Sequence, residues 1–207
     1  MSDPDEPESF ESIYAGARDD LTTLPWTRLV PSVQLLAWLH GLEVADLSVL
    51  VVGCGVGDDA EELARRGAVV TAFDFAPTAI ALCHKRFPSS TVDYRVADLF
   101  ELPVSWEHRF DLVVEIHTVQ SVPPERQADA MAAIARTVAP GGRLFVRCSV
   151  RDDAEPLDGR PWFLRLRDLD AYVDAGLQVA AFADVPADVA TVFAYRRHVV
   201  AVYSRAS

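Results

Sequence analysis

In Val49-Leu50-Val51-Val52-Gly53-Cys54-Gly55-Val56-Gly57-Asp58-Asp59, residues 49–59, an apolar run passes through three alternating glycines into an acidic helix start. A strand that ends in closely spaced glycines lets the main chain turn sharply and approach a ligand where a side chain would collide, and the helix behind it presents unpaired N–H groups. The next apolar run, Val69-Val70-Thr71-Ala72-Phe73, closes on Asp74, an acid placed to accept hydrogen bonds from both hydroxyls of a ribose. The two features together describe a nucleoside-binding site. Asp58 and Asp59 then discriminate between ligands, because a pyrophosphate on that helix N-terminus would meet two carboxylates while a cationic or zwitterionic nucleoside would not be repelled. Asp58 also stands where a dinucleotide fold carries its third Gly or Ala, which weakens a reading as an NAD-binding oxidoreductase.

Outward from this stretch, short Val-rich runs alternate with helical patterns, the signature of strand-helix units on a parallel sheet. From Pro31, the residues Val33, Leu35, Leu36, Trp38, Leu39 and Leu42 suit a helix, with Gly41 near its end. A helix over Asp58 to Arg66 is closed by Gly67, and Pro77 opens the next as an N1 proline. Thr91 to Val96 reads as a third strand ending at Asp98, and Phe110 to Glu115 as a fourth. Pro123-Pro124 opens a helix through Met131, Ile134 and Val138 that stops at Pro140-Gly141-Gly142, ahead of a fifth strand over Arg143 to Ser149. After a helix over Leu166 to Gly176, two strand-like runs, Leu177 to Val185 and Phe193 to Tyr203, follow with no helix-length segment between them. Strands joined that closely must be antiparallel, since a parallel return needs a dozen or more residues.

With 207 residues, 50% of them hydrophobic, the chain has the length and apolar content for one domain with a single core. A formal charge of -12 argues against a nucleic-acid or anionic-membrane surface. No apolar stretch approaches the ~18 residues that span a bilayer, and Met1 to Glu11 is acidic where a signal peptide is basic, so a cytoplasmic protein is expected. Cys54, Cys83 and Cys148 show no C-x-x-C spacing and read as core thiols, Cys54 as a small spacer. The five histidines form no spaced pair on one helix face, so no metal is expected. The first dozen residues, polar and acidic, read as an arm that becomes ordered towards Phe10, Ile13 and Tyr14.

Taken in order from Val49 to about Val146, the chain resembles the class I S-adenosylmethionine-dependent methyltransferases. VLVVGCGVGDDAEELA looks like that family's first motif, and AFDFAPTAI, VADLF and FDLVVEIHTV resemble its later landmarks. The resemblance implies S-adenosylmethionine as cofactor. It implies an α/β, Rossmann-like, seven-stranded mostly parallel sheet with an antiparallel last strand and helices on both faces. It makes Gly53, Cys54, Gly55 and Gly57 the cofactor loop, Asp74 the ribose acid, Phe75 the adenine flank, and Asp98 with Leu99 the pair at the adenine edge. The order Ile13-Tyr14-Ala15-Gly16, Leu24-Pro25-Trp26, with Gly159-Arg160-Pro161-Trp162 later, is similar to small-molecule methyltransferases of the thiopurine, tellurite and quinone-methylating kind. On that basis residues 1–207 form one methyltransferase domain. Within it 1–30 are an arm over the cofactor site, 45–150 the cofactor-binding core and 177–203 the terminal antiparallel hairpin.

Methyl transfer from a sulfonium is an in-line displacement, so the protein's chief tasks are to align a nucleophile and exclude water. Ligands in such folds sit beyond the carboxyl ends of the strands. Glu115, ending strand four, is a candidate to face the methionine amino group and sulfonium, or else a strand-end charge in solvent. His117 is a candidate base for a hydroxyl acceptor. Tyr14, Trp26 and Trp162 are candidates to wall an aromatic acceptor or flank the sulfonium, or are core. Arg147 and Ser149 are candidates for an anionic group, with solvation the favoured reading of Arg147. Arg196-Arg197 is expected to start the last strand and face solvent. The partner expected is a small-molecule acceptor methylated at O, S or N, with no nucleic acid, no membrane, and a monomer or homodimer. A non-catalytic sensor or partner subunit that binds the cofactor is the alternative, ahead of an NAD-type dinucleotide-binding oxidoreductase.

Overall fold

The computed structural model describes residues 8–17, 20–156, 159–186 and 196–207. The chain divides into two compact units, Met1–Asp98 and Leu99–Ser207. The first contains α1 (Glu8–Ala17), α2 (Val33–Trp38), β1 (Ser48–Val52), α3 (Asp58–Arg65), β2 (Val69–Asp74), α4 (Pro77–Arg86) and β3 (Asp93–Val96). Its strands lie in the order β3-β2-β1, all parallel, with Val52 opposite Phe73 and Asp74 opposite Val96. The second contains β4 (Phe110–Ile116), α5 (Gln127–Thr137), β5 (Val138–Val150), α6 (Ala171–Asp174), β6 (Gln178–Val185) and β7 (Arg197–Ser204), ordered β4-β5-β7-β6. There β4 and β5 are parallel and β7 is antiparallel to both its neighbours. The seven strands are thus mostly parallel with an antiparallel last strand, as the close spacing of the two terminal runs requires.

Local chemistry accounts for the helix ends. α3 begins at Gly57, carries Asp58, Asp59 and Glu61 in its first turn and Arg65 in its last, charges that complement the helix dipole at both ends. α4 has Pro77 at its first position and His84, Lys85 and Arg86 in its last turn, and buries Ala79, Ile80, Leu82 and Cys83.

Four boundaries differ from the sequence reading. The helix from Pro31 is only six residues long: the Ser32 side chain accepts from Leu35 N–H at its start, and only Leu35 and Leu39, one turn apart, are buried along its face. The helix after Pro123-Pro124 opens with a 3₁₀ turn over Pro124–Arg126 and ends at Thr137, before Val138. Val138 is already extended and pairs with Phe110, and the register then jumps to Leu112 opposite Arg143. Pro140-Gly141-Gly142 is therefore a bulge inside one long strand, not a helix stop. Gly142 fits there because a Cβ would lie 2.8 Å from the Ala139 carbonyl and 2.9 Å from that of Phe110. The helix over 166–176 is a 3₁₀ segment, Leu166–Asp170, followed by the single α turn of α6. The final strand starts at Arg197 among the described residues; Phe193 to Tyr195, where it was expected to begin, lie outside them. Arg197 is exposed and paired with Asp184, as expected, whereas Arg196 is half-buried over the Phe163 ring and paired with Glu155. In the arm, Phe10 and Tyr14 pack inward while Ile13 faces solvent.

Candidate functional site

In the first unit the glycine loop and the acid of β2 are joined directly. Gly55 N–H donates to Asp74 Oδ2 at 3.0 Å, Ala76 N–H donates to Oδ1 at 3.0 Å, and Cys54 N–H donates to the Phe73 carbonyl at 2.8 Å. Each carboxylate oxygen has two lone pairs, so both retain capacity for a further donor. Asp74 is buried, and burial, only partly offset by these N–H donors, raises its pKa to about 6.

Two of the loop's glycines meet different neighbours. Gly55 has φ +55, and the nearest atom to a Cβ there would be the Tyr14 hydroxyl at 3.3 Å, so the loop lies directly beneath the arm. Gly57 has φ +95, and its Cβ would fall 2.5 Å from the Tyr94 hydroxyl and 3.2 Å from Cys83 Sγ. Gly57 is thus constrained by the protein's own packing, a constraint beyond the place in the cofactor loop that the resemblance implies.

Asp58 and Asp59 correct the electrostatic argument made from sequence. Asp58 is held by Arg86 through two contacts, 2.7 and 3.1 Å, and Arg86 also donates to the Val56 carbonyl; Asp59 accepts from Ser32 N–H at 2.7 Å. Asp58, its charge compensated, braces the loop through Arg86, and Asp59 ties α3 to the start of α2. Arg86, 28 residues away, carries no local signal of this role. The Cys54 thiol is half-buried, and its pKa is raised by hydrogen bonding to Cys83 and by burial, which leaves it a spacer with no nucleophilic character.

An aromatic cluster covers this loop. Phe10 meets Trp26 (5.4 Å) and Phe75 (5.8 Å) edge to face, and Tyr14 meets Trp26 at 5.6 Å. Tyr14, Leu24, Val56, Ala76 and Ala79 form the buried centre beneath. Glu11 of α1 clasps α4 by accepting from the Thr78 N–H at 3.0 Å and from its hydroxyl. The structure brings together Tyr14, Trp26, Gly55, Asp74 and Phe75, five of the residues singled out in the sequence. Asp98 is exposed at the end of this unit, and Leu99, the first residue of the next, is buried.

In the second unit a buried polar group surrounds the end of β4. Glu115 is fully buried rather than a strand-end charge in solvent: Oε1 accepts from Thr118 N–H (2.6 Å) and Val119 N–H (3.1 Å), while Oε2 has no hydrogen-bond partner among the described residues. Burial raises its pKa to about 7. His117 is half-buried, left-handed at φ 62, and its Nδ1 lies 3.0 Å from Gln120 Oε1. Burial, with the nearby charge of Arg147, pushes its pKa down to about 3. Arg147 is buried, not solvated, because β5 is covered on both sides at that point. Trp162 is buried with its N–H on the Gln120 carbonyl at 2.8 Å. Gln120, Ser149 and His198 complete the group: Ser149 N–H donates to Gln120 Oε1 (3.0 Å) and Ser149 Oγ meets His198 Nδ1 at 3.1 Å. Gln120 has no motif around it that would have marked it.

The raised Glu115 pKa has a consequence for stability. The folded value of about 7 exceeds the ordinary 4.5, so folding disfavours the ionised form; nothing is lost below about 4.5, stability falls as pH rises from there to about 7, and the loss is complete above that. The full penalty is on the order of 3 kcal/mol. Glu115→Gln keeps an acceptor for Thr118 and Val119 and removes the charge. Denaturant unfolding at pH 5 and pH 8 should therefore show a smaller pH-dependent loss in the variant than in the parent; equal losses would mean that Glu115 ionises freely.

Among the described residues no helix is long and apolar enough to cross a membrane, and no group of three or more His, Cys, Asp or Glu could hold a metal ion. Comparison with known proteins finds a match over residues 50–146 to the family described as a methyltransferase domain. A ubiquinone biosynthesis O-methyltransferase of Xanthomonas oryzae is 39% identical over 107 residues, which cover 51% of this chain and 44% of that protein. The chain thus spans less than half the length of the curated relative it matches. Among solved structures, the 1,6-didemethyltoxoflavin-N1-methyltransferase of Burkholderia thailandensis superposes with a TM-score of 0.73 at 21% identity, covering 100% of this chain and 92% of that one. The N-methyltransferase NodS of Bradyrhizobium japonicum superposes at 0.72 with 19% identity, covering 97% and 98%. At these identities the superpositions speak for the fold.

Proposed function

We propose that the chain binds S-adenosylmethionine, as a class I methyltransferase does, and transfers its methyl group to the oxygen, nitrogen or sulfur of a small molecule; the match of residues 50–146 to a methyltransferase domain supports this. The observation that carries this reading is the 3.0 Å bond from Gly55 N–H to Asp74 Oδ2. It ties the glycine turn to a carboxylate suited to a ribose, and it lies under the Phe10, Tyr14 and Trp26 cluster that can exclude water. The solved relatives with S-adenosylhomocysteine bound support the same cofactor.

In this reading Asp74 takes the ribose hydroxyls, Phe75 flanks the adenine, and Asp98 with the Leu99 N–H meets its edge. The aromatic faces of Tyr14 and Trp26 are suited to a sulfonium or an aromatic acceptor. Trp162 and Arg147 are assigned to the acceptor side and His117 to its proton. Glu115 acts through the loop it caps, since the oxygen nearest Thr118 and Val119 is already engaged. S-Adenosylmethionine, when bound, supplies the electrophilic methyl carbon; the chain's own residues bind, orient and keep water out.

Calorimetric titration with S-adenosylmethionine, S-adenosylhomocysteine and NAD tests the reading. The first two should bind and NAD should not; NAD binding alone would replace the assignment with a dinucleotide enzyme. A panel of phenols, quinols, thiols and metalloid anions, followed by release of S-adenosylhomocysteine, then separates an enzyme from a sensor that binds without turnover.

A further inference from the structure

The geometry points to Gln120 as the positioning residue that fixes His117 as its Nδ1–H tautomer, leaving Nε2 as a lone-pair acceptor for the proton of a hydroxyl-bearing methyl acceptor. The acceptor clause rests on the methyl-transfer reading above; the tautomer does not.

The argument begins at Ser149. Its main-chain N–H can only donate, and it lies 3.0 Å from a side-chain atom of Gln120, so that atom is the amide oxygen and the amide cannot be turned the other way. The same oxygen lies 3.0 Å from His117 Nδ1. Two acceptors would repel at that distance, so Nδ1 carries the hydrogen. A neutral imidazole has one N–H, and Nε2 is then the bare nitrogen. Nε2 makes no hydrogen bond among the described residues, and the ring is half-buried rather than sealed.

The surroundings hold that arrangement. Gln120 is 1% exposed in the 3₁₀ turn Val119–Ser121, its main-chain carbonyl accepts from the Trp162 main-chain N–H, and its side chain meets β5 at Ser149, which pairs with His198 of β7. His117 is in the left-handed region at φ 62, a conformation a non-glycine residue keeps only where its surroundings impose it. Its N–H donates to the Arg147 carbonyl at 2.9 Å, and the two residues after it are clamped by Glu115. The charged and titratable groups facing the ring are Arg147 of β5 and His198 of β7, the latter edge to face at 6.1 Å. Both disfavour an imidazolium, so the ring stays neutral at working pH.

A weak base in this position is adequate. As the acceptor oxygen's lone pair forms the O–C bond, the C–S bond breaks with its electron pair going to sulfur, and the sulfonium becomes a neutral thioether. The oxygen's proton becomes strongly acidic as its oxygen gains the methyl group and passes to Nε2, and the resulting imidazolium returns it to solvent water. An acceptor that is already anionic has no proton to give and draws nothing from Nε2.

The test is a long-range ¹H–¹⁵N correlation spectrum of the imidazoles in the uniformly labelled chain, with His117 assigned by its loss in His117→Gln. The parent should show a single Nδ1–H tautomer with a bare Nε2. Gln120→Glu, which keeps an acceptor for both N–H groups, should retain it, and Gln120→Leu should lose it. An Nε2–H or mixed spectrum in the parent overturns the inference, as does retention of the pattern in Gln120→Leu; if the leucine variant does not fold, the parent and glutamate spectra still decide. Among acceptors, Gln120→Leu should slow transfer to phenols by about tenfold more than to thiols ionised at pH 8, and Gln120→Glu should restore the phenol rate. Equal slowing, or transfer only to proton-free anions, overturns the acceptor clause. Transfer to no acceptor removes the methyl-transfer reading and that clause with it, while the spectrum still judges the tautomer.

Discussion

Asp74→Ala should weaken binding of S-adenosylhomocysteine by about two orders of magnitude or more. Two ribose hydroxyls would lose a charged acceptor, and such bonds contribute roughly 1.5–3 kcal/mol each. A second effect has the same sign. Gly55 and Ala76 both donate to this carboxylate, so its removal leaves one N–H of the cofactor loop and one at the start of α4 without their acceptor. The isosteric Asp74→Asn does not escape: an amide offers one oxygen, and its NH₂ would face whichever of the two N–H groups the oxygen does not serve. Calorimetry at pH 8, with a thermal melt to confirm the fold, measures the loss. Affinity in the parent should also decline as pH falls through about 6, where Asp74 takes up a proton and ceases to be a double acceptor. A variant that binds within about threefold of the parent would place the ribose elsewhere.

Gly57→Ala should destabilise the fold strongly. The residue sits at φ +95, a conformation that costs an L-residue about 1–2 kcal/mol. Its Cβ would also fall 2.5 Å from the Tyr94 hydroxyl, which is itself bonded to Glu61 at 2.8 Å. Relief requires that bond to break or α3 to shift, so a total near 3 kcal/mol or more is expected. Removing the obstructing oxygen tells the two causes apart. Tyr94→Phe alone should cost about 1 kcal/mol for the lost bond. Gly57→Ala with Tyr94→Phe should be more stable than the sum of the single changes, and the residual deficit measures the backbone conformation. Urea unfolding of the four proteins completes the cycle. If Gly57→Ala unfolds within about 0.5 kcal/mol of the parent, the close packing of Gly57 against β3 is not what the glycine is for.

Both effects bear on how far the residues alone could be read. That Asp74 and Gly55 belong together followed from two adjacent strands each ending in a residue type with one chemical use. That Gly57 is also constrained by the protein's own packing did not follow, because Tyr94 and Cys83 reach it from elements later in the chain. The same holds for Asp58: as a pair of acids at a helix start it read as an electrostatic filter, and Arg86 turns it into a brace for the loop. Glu115 read equally well as a solvated charge and Arg147 read better as one, yet both are buried, since burial depends on what covers a strand and not on the strand's own residues.

The sequence by itself determined the alternation of strands and helices, the antiparallel ending, the glycine turn and the acid that faces it. These are consequences of periodicity, chain length and the conformational freedom of glycine, all of which act within a few residues. Only the tertiary structure decided which proton His117 carries. That depends on Ser149, 29 residues beyond Gln120, and on a carboxylate, Glu115, whose partners are the loop's own N–H groups. Hydrogen-bond complementarity across strands has no period along the chain, so it exists only once β4, β5 and β7 lie side by side.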